Sequence, residues 1–513
     1  MFKKVILPIS TVLFCAFILL LSLRGQAGNP DSGELNSDHW KDNGPLELSP
    51  ERGRFALTYS LVNDKSFYFN DKIAHFATPD LGFFNGKYVS LFAPGLSFLI
   101  VPGYILGKYL GATQIGSFAV ISVFALINLI LIRAIAMRLG ASAVASTIGA
   151  LIFLFATPAF AYSVSLFQHQ VSTFLILSSL LIILKYNNFW SLSLVWLLCA
   201  ASIPIDYPNL FLMFPIGIFA LSKIIYSRVN ENGININLKL VYLLTFASII
   251  LPLSFFMWFN KLSYGNPFKL SGTVPRVLEF DEENNPRFSI SSTSVNLQTI
   301  TDPAKQEKSA IKFFNPRNLL NGFYIHFLSQ DRGILYFAPI IFSGILGIYF
   351  FYSKNRIICA LLIGIIGSNI LLYSMWGDPY GGWAFGSRYL IPGYAIMSVF
   401  IALALSKWKN NLFFIFIFVL IALYSSGVNA LGALTTSRNP PKIEATGLSQ
   451  LTGRQEKYSF DRNIDFLFSQ GSKSYIYQTF ANKYMDAREY YFLIYGLIAV
   501  FTISLVILLN REK

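Results

Sequence analysis

The sequence predicts an all-α polytopic membrane protein, with about twelve transmembrane helices and with interfacial helices in a long first extracytoplasmic loop. Three observations predict it. Apolar runs of about twenty residues follow one another along the chain, each long enough to cross a hydrocarbon core of about 30 Å. Of the 513 residues, 54% are hydrophobic and only 13% are charged, against roughly 25% charged in soluble domains. Lysines and arginines gather at alternate ends of the apolar runs, which is the positive-inside pattern. That distribution accounts for the net charge of +14 without a nucleic-acid partner.

The elements follow in chain order. "MFKKVILPISTVLFCAFILLLSL" has the basic end and apolar stretch of a signal peptide, but its apolar part exceeds a usual signal core, so it reads as a retained first helix over 5–23. The other spans fall at 116–137, 143–162, 168–186, 189–205, 208–226, 238–259, 333–352, 357–374, 389–406, 412–429 and 490–509. With both termini cytoplasmic, the inner ends are marked by Lys3 and Lys4, Arg133 and Arg138, Lys185, Lys223 and Arg228, Lys354 and Arg356, Lys407 and Lys409, and Arg511 and Lys513. All of these then share one side of a bacterial-type inner membrane. "SLFAPGLSFLIVPGYILGKYLG" resembles one more span, but counting it would invert everything after it. Pro94, Gly95, Pro102 and Gly103 interrupt it, so it reads as interfacial helices.

The expected organisation is a transmembrane module over 1–429 with outer loops at 24–115 and 260–332. An extracytoplasmic segment at 430–489 and a last helix with a cytoplasmic tail at 490–513 complete it. The inner loops are short, so the polar chemistry lies outside. Cys15, Cys199 and Cys359 sit in apolar runs and read as small hydrophobes. No phosphate-binding loop of the G-x-x-x-x-G-K-[ST] type occurs. An activated substrate would therefore come from within the membrane.

Several outer residues could do chemistry. In "LSPERGRFAL", Ser49-Pro50 opens a helix that would lie on the membrane face, with Glu51 in its first turn. Glu51 is a candidate general base; the plainer reading is a helix-start acid. Asp80 reads as a second acid or a helix cap. His169, beside Gln168 and Gln170, reads as a headgroup contact or a packing residue. Asp206, in "PIDYP", is a costly acid beside hydrocarbon, or a cap for the next helix. Arg332 and Arg388 stand at outer helix starts against the positive-inside trend, as guanidinium groups suited to phosphate do. Gly381, Gly382 and Gly386 permit close backbone approach, and Trp376 and Trp383 offer flat faces to a sugar or a lipid. The middle segment reads as a loop or a short strand pair. The third outer segment is long enough for a small cap.

"SPERGRFALTYSLVNDKSF", "NGKYVSLFAPGLSFLIVPGYILG", "SLFQHQVSTFLI", "DRGILYFAP" and "WGDPYGGWAFGSRYLIP" together resemble membrane glycosyltransferases of the GT-C fold. The resemblance is to their family 39-like branch, which includes protein O-mannosyltransferases and lipid A aminoarabinose transferases, and it covers about residues 1–410. It implies a polyprenyl-phosphate-linked sugar donor and an extracytoplasmic site. It implies inversion at the sugar carbon, with Glu51 as the base and Arg54 beside it. The acceptor would be a glycan, a lipid or a protein. The family's common Asp is Glu here. Its usual Lys before the interfacial proline is Phe92, so the phosphate contact falls to Lys87, Arg332 or Arg388. No cofactor is implied, and no ligand set for a divalent metal is evident. A flippase for lipid-linked sugars, a glycan polymerase or ligase, and a non-catalytic scaffold are the competing readings.

Overall fold

The computed structural model describes residues 6–230, 233–288 and 313–512, with main chain only over 226–230 and 233–237. Lys3, Lys4, Lys513, the Arg228 side chain and the stretch 289–312 of the middle segment lie outside the described residues.

Among the described residues, six helices are long and apolar enough to cross a membrane: Thr113–Arg138, Leu240–Tyr264, Arg356–Ser374, Arg388–Trp408, Leu412–Leu434 and Ala487–Asn510. Six shorter apolar helices accompany them: Leu7–Ser22, Ala143–Phe155, His169–Lys185, Phe189–Ser202, Phe214–Ile224 and Pro339–Lys354. Each of the twelve segments read as spans carries one of these helices, and the chain is an integral membrane protein. The differences from expectation have local causes. The span expected from 333 is broken at Ala338, between a short helix Ile334–Phe337 and the longer Pro339–Lys354, where the Pro339 ring presets the first helical turn. The span read as 208–226 divides at Met213 because Pro215 opens a new helix.

The Arg388–Trp408 helix is the axis of the bundle, with 83% of its apolar window buried. It packs against Pro339–Lys354, Ala143–Phe155 and Thr113–Arg138. Small residues set that packing: a Cβ at Gly347 would lie 1.9 Å from the Phe400 carbonyl oxygen. The outer helices turn apolar side chains such as Leu13, Val123, Leu251 and Phe413 away from the protein, as lipid-facing surfaces do.

The three long connecting segments fold together at one end. The first contributes a hairpin, Leu81–Phe84 with Lys87–Ser90, around Asn85-Gly86, both at positive φ (47° and 74°). The second contributes the strands Arg276–Phe280 and Pro286–Phe288. These join in one antiparallel sheet, in which Leu81 faces Val277 and Gly82 faces Arg276. The segment expected to be interfacial forms two short helices, Gly95–Leu99 and Val101–Tyr109. The third segment adds the helices Lys442–Thr452, Asp461–Ser469 and Tyr475–Thr479.

The Ser49–Tyr59 helix does not lie on a surface as expected. Every residue from Glu51 to Tyr59 is buried. Its polar side is satisfied by neighbouring chain rather than by water: Arg52 donates to the carbonyls of Phe76, Glu47 and Thr78. Ser97 Oγ donates to the Arg54 carbonyl.

A buried carboxylate fastens the first segment to the third. Glu47 pairs with Arg24 at 3.1 Å and Lys473 at 2.7 Å. It also accepts from Thr436 Oγ1 and the Ser437 amide, each at 2.7 Å. Burial pushes the Glu47 carboxyl up, but Lys473 and Arg24 outweigh it and hold the group at about 2.

Candidate active site

A cavity of about 290 Å³ opens among the clustered segments. Its wall is built from residues far apart in sequence, and each has a local reason to be there. Pro50 and Arg54 come from the buried Ser49–Tyr59 helix. Asp80 precedes the first strand, and Arg276 opens the strand paired with it. Phe167 and Gln168 end the turn before the His169–Lys185 helix. Asp206 lies in the turn between Phe189–Ser202 and Asn209–Leu212. Trp376 comes from the start of the glycine-rich stretch before the axial helix, and Arg388 and Tyr389 open that helix.

Two arginines dominate the electrostatics. The guanidinium of Arg54 lies 4.7 Å from the Phe92 ring centre and 5.9 Å from that of Phe167. The Arg388 guanidinium sits 4.9 Å from the same Phe167 ring. Arg388 Nη2 donates to the Gly381 carbonyl at 2.7 Å, while Nε and Nη1 are buried and have no hydrogen-bond acceptor among the described residues. Arg54 Nη1 donates to Pro50 O, and its Nε is also unpartnered. Burial lowers the Arg54 guanidinium to about 10, with Asp206 working against that and Arg388 adding to it. Two like charges held together with unused donors leave an anion-sized deficit.

The carboxylates divide by how occupied they are. Asp80 is ion-paired to Arg276 at 2.8 Å and accepts from Ser49 Oγ. Among the described residues, Asp206 accepts only from Gln168 Nε2, at 2.9 Å on Oδ2. It does not cap the following helix, where the Asn209 amide binds the Asp206 main-chain carbonyl instead. Burial pushes the Asp206 carboxyl up, with Gln168, Arg54 and Arg388 opposing.

Glu51 has no face on this cavity. It is 0% exposed, and its oxygens accept from the Leu48 amide at 3.1 Å and the Leu166 amide at 3.3 Å. That is the helix-start role, with a second main-chain contact added. Burial, then neighbouring Glu47, push its carboxyl up from the ordinary 4.5 to about 7. Because the folded value exceeds the unfolded one, this group's contribution to stability is complete below about pH 4.5 and is lost as pH rises through about 7. Glu51→Gln should remove that slope and leave stability above pH 7 equal to wild type or higher. Thermal unfolding in detergent from pH 5 to 8 reads this directly, and an unchanged slope would contradict it.

Other sequence candidates are elsewhere. Arg332 is fully buried, and its guanidinium is spent on the carbonyls of Tyr380, Asp331, Gly382 and Asn439. It braces the loop that presents Arg388, with four of its five N–H groups given to main-chain carbonyls, and it does not line the cavity. In that loop Gly381 adopts a φ of 72°, outside the range a side chain favours, and its carbonyl receives Arg388. Lys87 is exposed on the hairpin, with its ammonium 4.1 Å from the Tyr68 ring centre. Trp383 donates to Glu444 at 2.6 Å and lies away from the cavity. His169 is buried behind the wall, edge-on to Tyr389 at 6.2 Å. Trp376 does line the cavity, stacked on Phe313 at 5.8 Å. Among the described residues, no group of three or more His, Cys, Asp or Glu could hold a metal ion.

A second cavity, of about 580 Å³, shares Arg54, Asp206 and Trp376 with the first. Its remaining wall is mostly apolar, including Ile203, Leu210, Phe211 and Phe314. A third, of about 370 Å³, shares Ile203 and Leu210 and continues between apolar helices past Met213, Gly217 and Leu221. A polar chamber thus leads into an apolar groove along the bundle.

No family model and no curated protein matches the chain. Among solved structures it is similar to ArnT from Cupriavidus metallidurans bound to undecaprenyl phosphate, at 11% identity and a TM-score of 0.47, over 99% of this chain and 76% of that one. The apo state of that protein gives a TM-score of 0.43 at 11% identity, over 99% and 75%. An oligosaccharyltransferase from Archaeoglobus fulgidus, in its apo form, gives 0.46 at 14% identity, over 97% of this chain and 56% of that one. At these scores the likeness carries no functional argument.

Proposed function

We propose that this chain is a membrane glycosyltransferase. It moves a sugar from a polyprenyl-phosphate donor to an acceptor at the end of the bundle where the long segments cluster. One observation carries the reading: two buried arginines with unused N–H donors stand where a polar chamber meets an apolar groove. A lipid phosphate has that shape, a compact anion on a long apolar chain. Guanidinium groups match phosphate oxygens and oppose the charge that grows on a leaving phosphate. The aromatic walls at Trp376 and Phe313 suit the sugar or the first lipid units. Where the resembled family carries a lysine, Phe92 instead supports the Arg54 guanidinium, which supplies the cation by another route. Four of the sequence blocks that carry the resemblance supply cavity residues, and the fifth supplies the Arg332 brace.

Direct attack by the acceptor would invert the sugar carbon in one step. The distribution of Lys and Arg along the sequence supports an extracytoplasmic position for this face. The test compares extracted glycolipids and surface glycans by mass spectrometry in a deletion strain and in the same strain with the wild-type chain restored. Loss and recovery of a mass the size of one sugar is expected. No change on deletion would sink the reading and favour a scaffold; accumulation of an intact lipid-linked sugar on the inner face would favour a flippase.

A further inference from the structure

Of the three carboxylates in or near the cavity, Asp206 alone among the described residues turns an unpartnered oxygen to it. Glu51 is enclosed and its oxygens face main-chain amides. Asp80 is held by Arg276 and Ser49. Asp206 lines both the polar chamber and the apolar groove, at their junction. Its Oδ2 is fixed by Gln168 Nε2, and its Oδ1 has no hydrogen-bond partner among the described residues. One oxygen anchored and one open is the arrangement a positioned base needs. A side chain committed to helix capping would not show it.

Resting on the glycosyltransferase reading, we propose that Asp206 is the general base of the transfer, with Gln168 as the residue that positions it. An acceptor hydroxyl or amine gives its proton to Asp206 Oδ1. The acceptor's electron pair forms the new bond to the sugar carbon. The bond from that carbon to the phosphate oxygen breaks, and its electron pair stays on the phosphate. Arg54 and Arg388 hold that phosphate. The proton reaches Asp206 as negative charge moves to the phosphate, so the summed charge of the chamber stays constant through the step. That matters in an enclosed site, where uncompensated charge is costly. Burial pushes the Asp206 carboxyl up, which makes it a stronger base than a solvated aspartate.

The test has two arms on the full-length chain. In the deletion strain, Asp206→Asn should fail to restore the glycan mass, and Asp206→Glu should restore part of it. In detergent, the purified Asp206→Asn protein should bind undecaprenyl phosphate at least as tightly as wild type, because it removes a negative charge facing two arginines. Arg388→Ala should bind it at least tenfold more weakly. Restoration of the mass by Asp206→Asn overturns the proposal and leaves the transferase reading standing. Loss of both mass and binding in Asp206→Asn also overturns it, since the residue would then only build the donor site. If deletion changes no glycan and the wild type binds no undecaprenyl phosphate, the transferase reading falls and the base assignment falls with it.

Discussion

Replacing Arg388 with alanine is expected to lower sugar transfer about 100- to 1,000-fold, the scale seen when one preorganised donor to a developing oxyanion is removed. The main-chain cost is small by comparison. Among the described residues the side chain donates to Gly381 O and interacts with the Tyr389 hydroxyl, contacts worth about 1 kcal/mol each. Its other buried nitrogens point to something the protein does not supply. Lysine should not rescue the loss, because an ammonium cannot present two parallel N–H groups to one phosphate. The amount of sugar-bearing product per unit of membrane-inserted protein measures this. Normal product from well-expressed Arg388→Ala would remove the anion role.

Loss of Glu47 should be the largest blow to folding. Glu47→Ala leaves the fully buried Arg24 and the nearly buried Lys473 without their counter-ion, and breaking such a cluster costs about 3–5 kcal/mol. Yield of inserted protein and its unfolding temperature in detergent should both fall, and a change of less than a few degrees would contradict the assignment. The pH dependence has a definite sign. The folded carboxyl sits at about 2, below the ordinary 4.5, so its contribution is present above 4.5 and is lost as pH falls toward 2. Glu51 contributes in the opposite sense at higher pH, and the two substitutions separate the effects.

The bundle was legible because apolar length and basic flanks are local signals, and an apolar helix occupies each segment so marked. The helix start at Ser49 was legible for the same reason, through Pro50 and Glu51. What surrounds that helix was not, because its neighbours come from residues about 25 to 45 positions away. The cavity shows the same division. Asp80, Asp206, Trp376 and Arg388 stood out as polar or aromatic groups in the outer segments and Arg54 through the motif it shares with Glu51, and all five line the cavity. Arg332 and Arg388 look alike in sequence, each beside glycine at a helix start. Only the carbonyls around Arg332 reveal that it is spent on bracing. Arg276, Gln168 and Phe167 carried little signal. Arg276 reaches the cavity through pairing of its strand with one 194 positions earlier, Gly82 to Arg276, and no periodicity encodes that register.

The clasp around Glu47 also bears on biosynthesis. Residues 50–92 leave the ribosome early, yet the sheet partner of Leu81 is Val277, the second arginine is Arg388, and the counter-ion of Glu47 is Lys473. A nascent chain released up to residue 430 has made every wall of the chamber but not the groups that pin the first of those walls. Assembly of the site is thereby deferred until synthesis is nearly finished, so a prematurely terminated chain would carry a Glu47 with Arg24 but without Lys473, Thr436 and Ser437 for quality control to find.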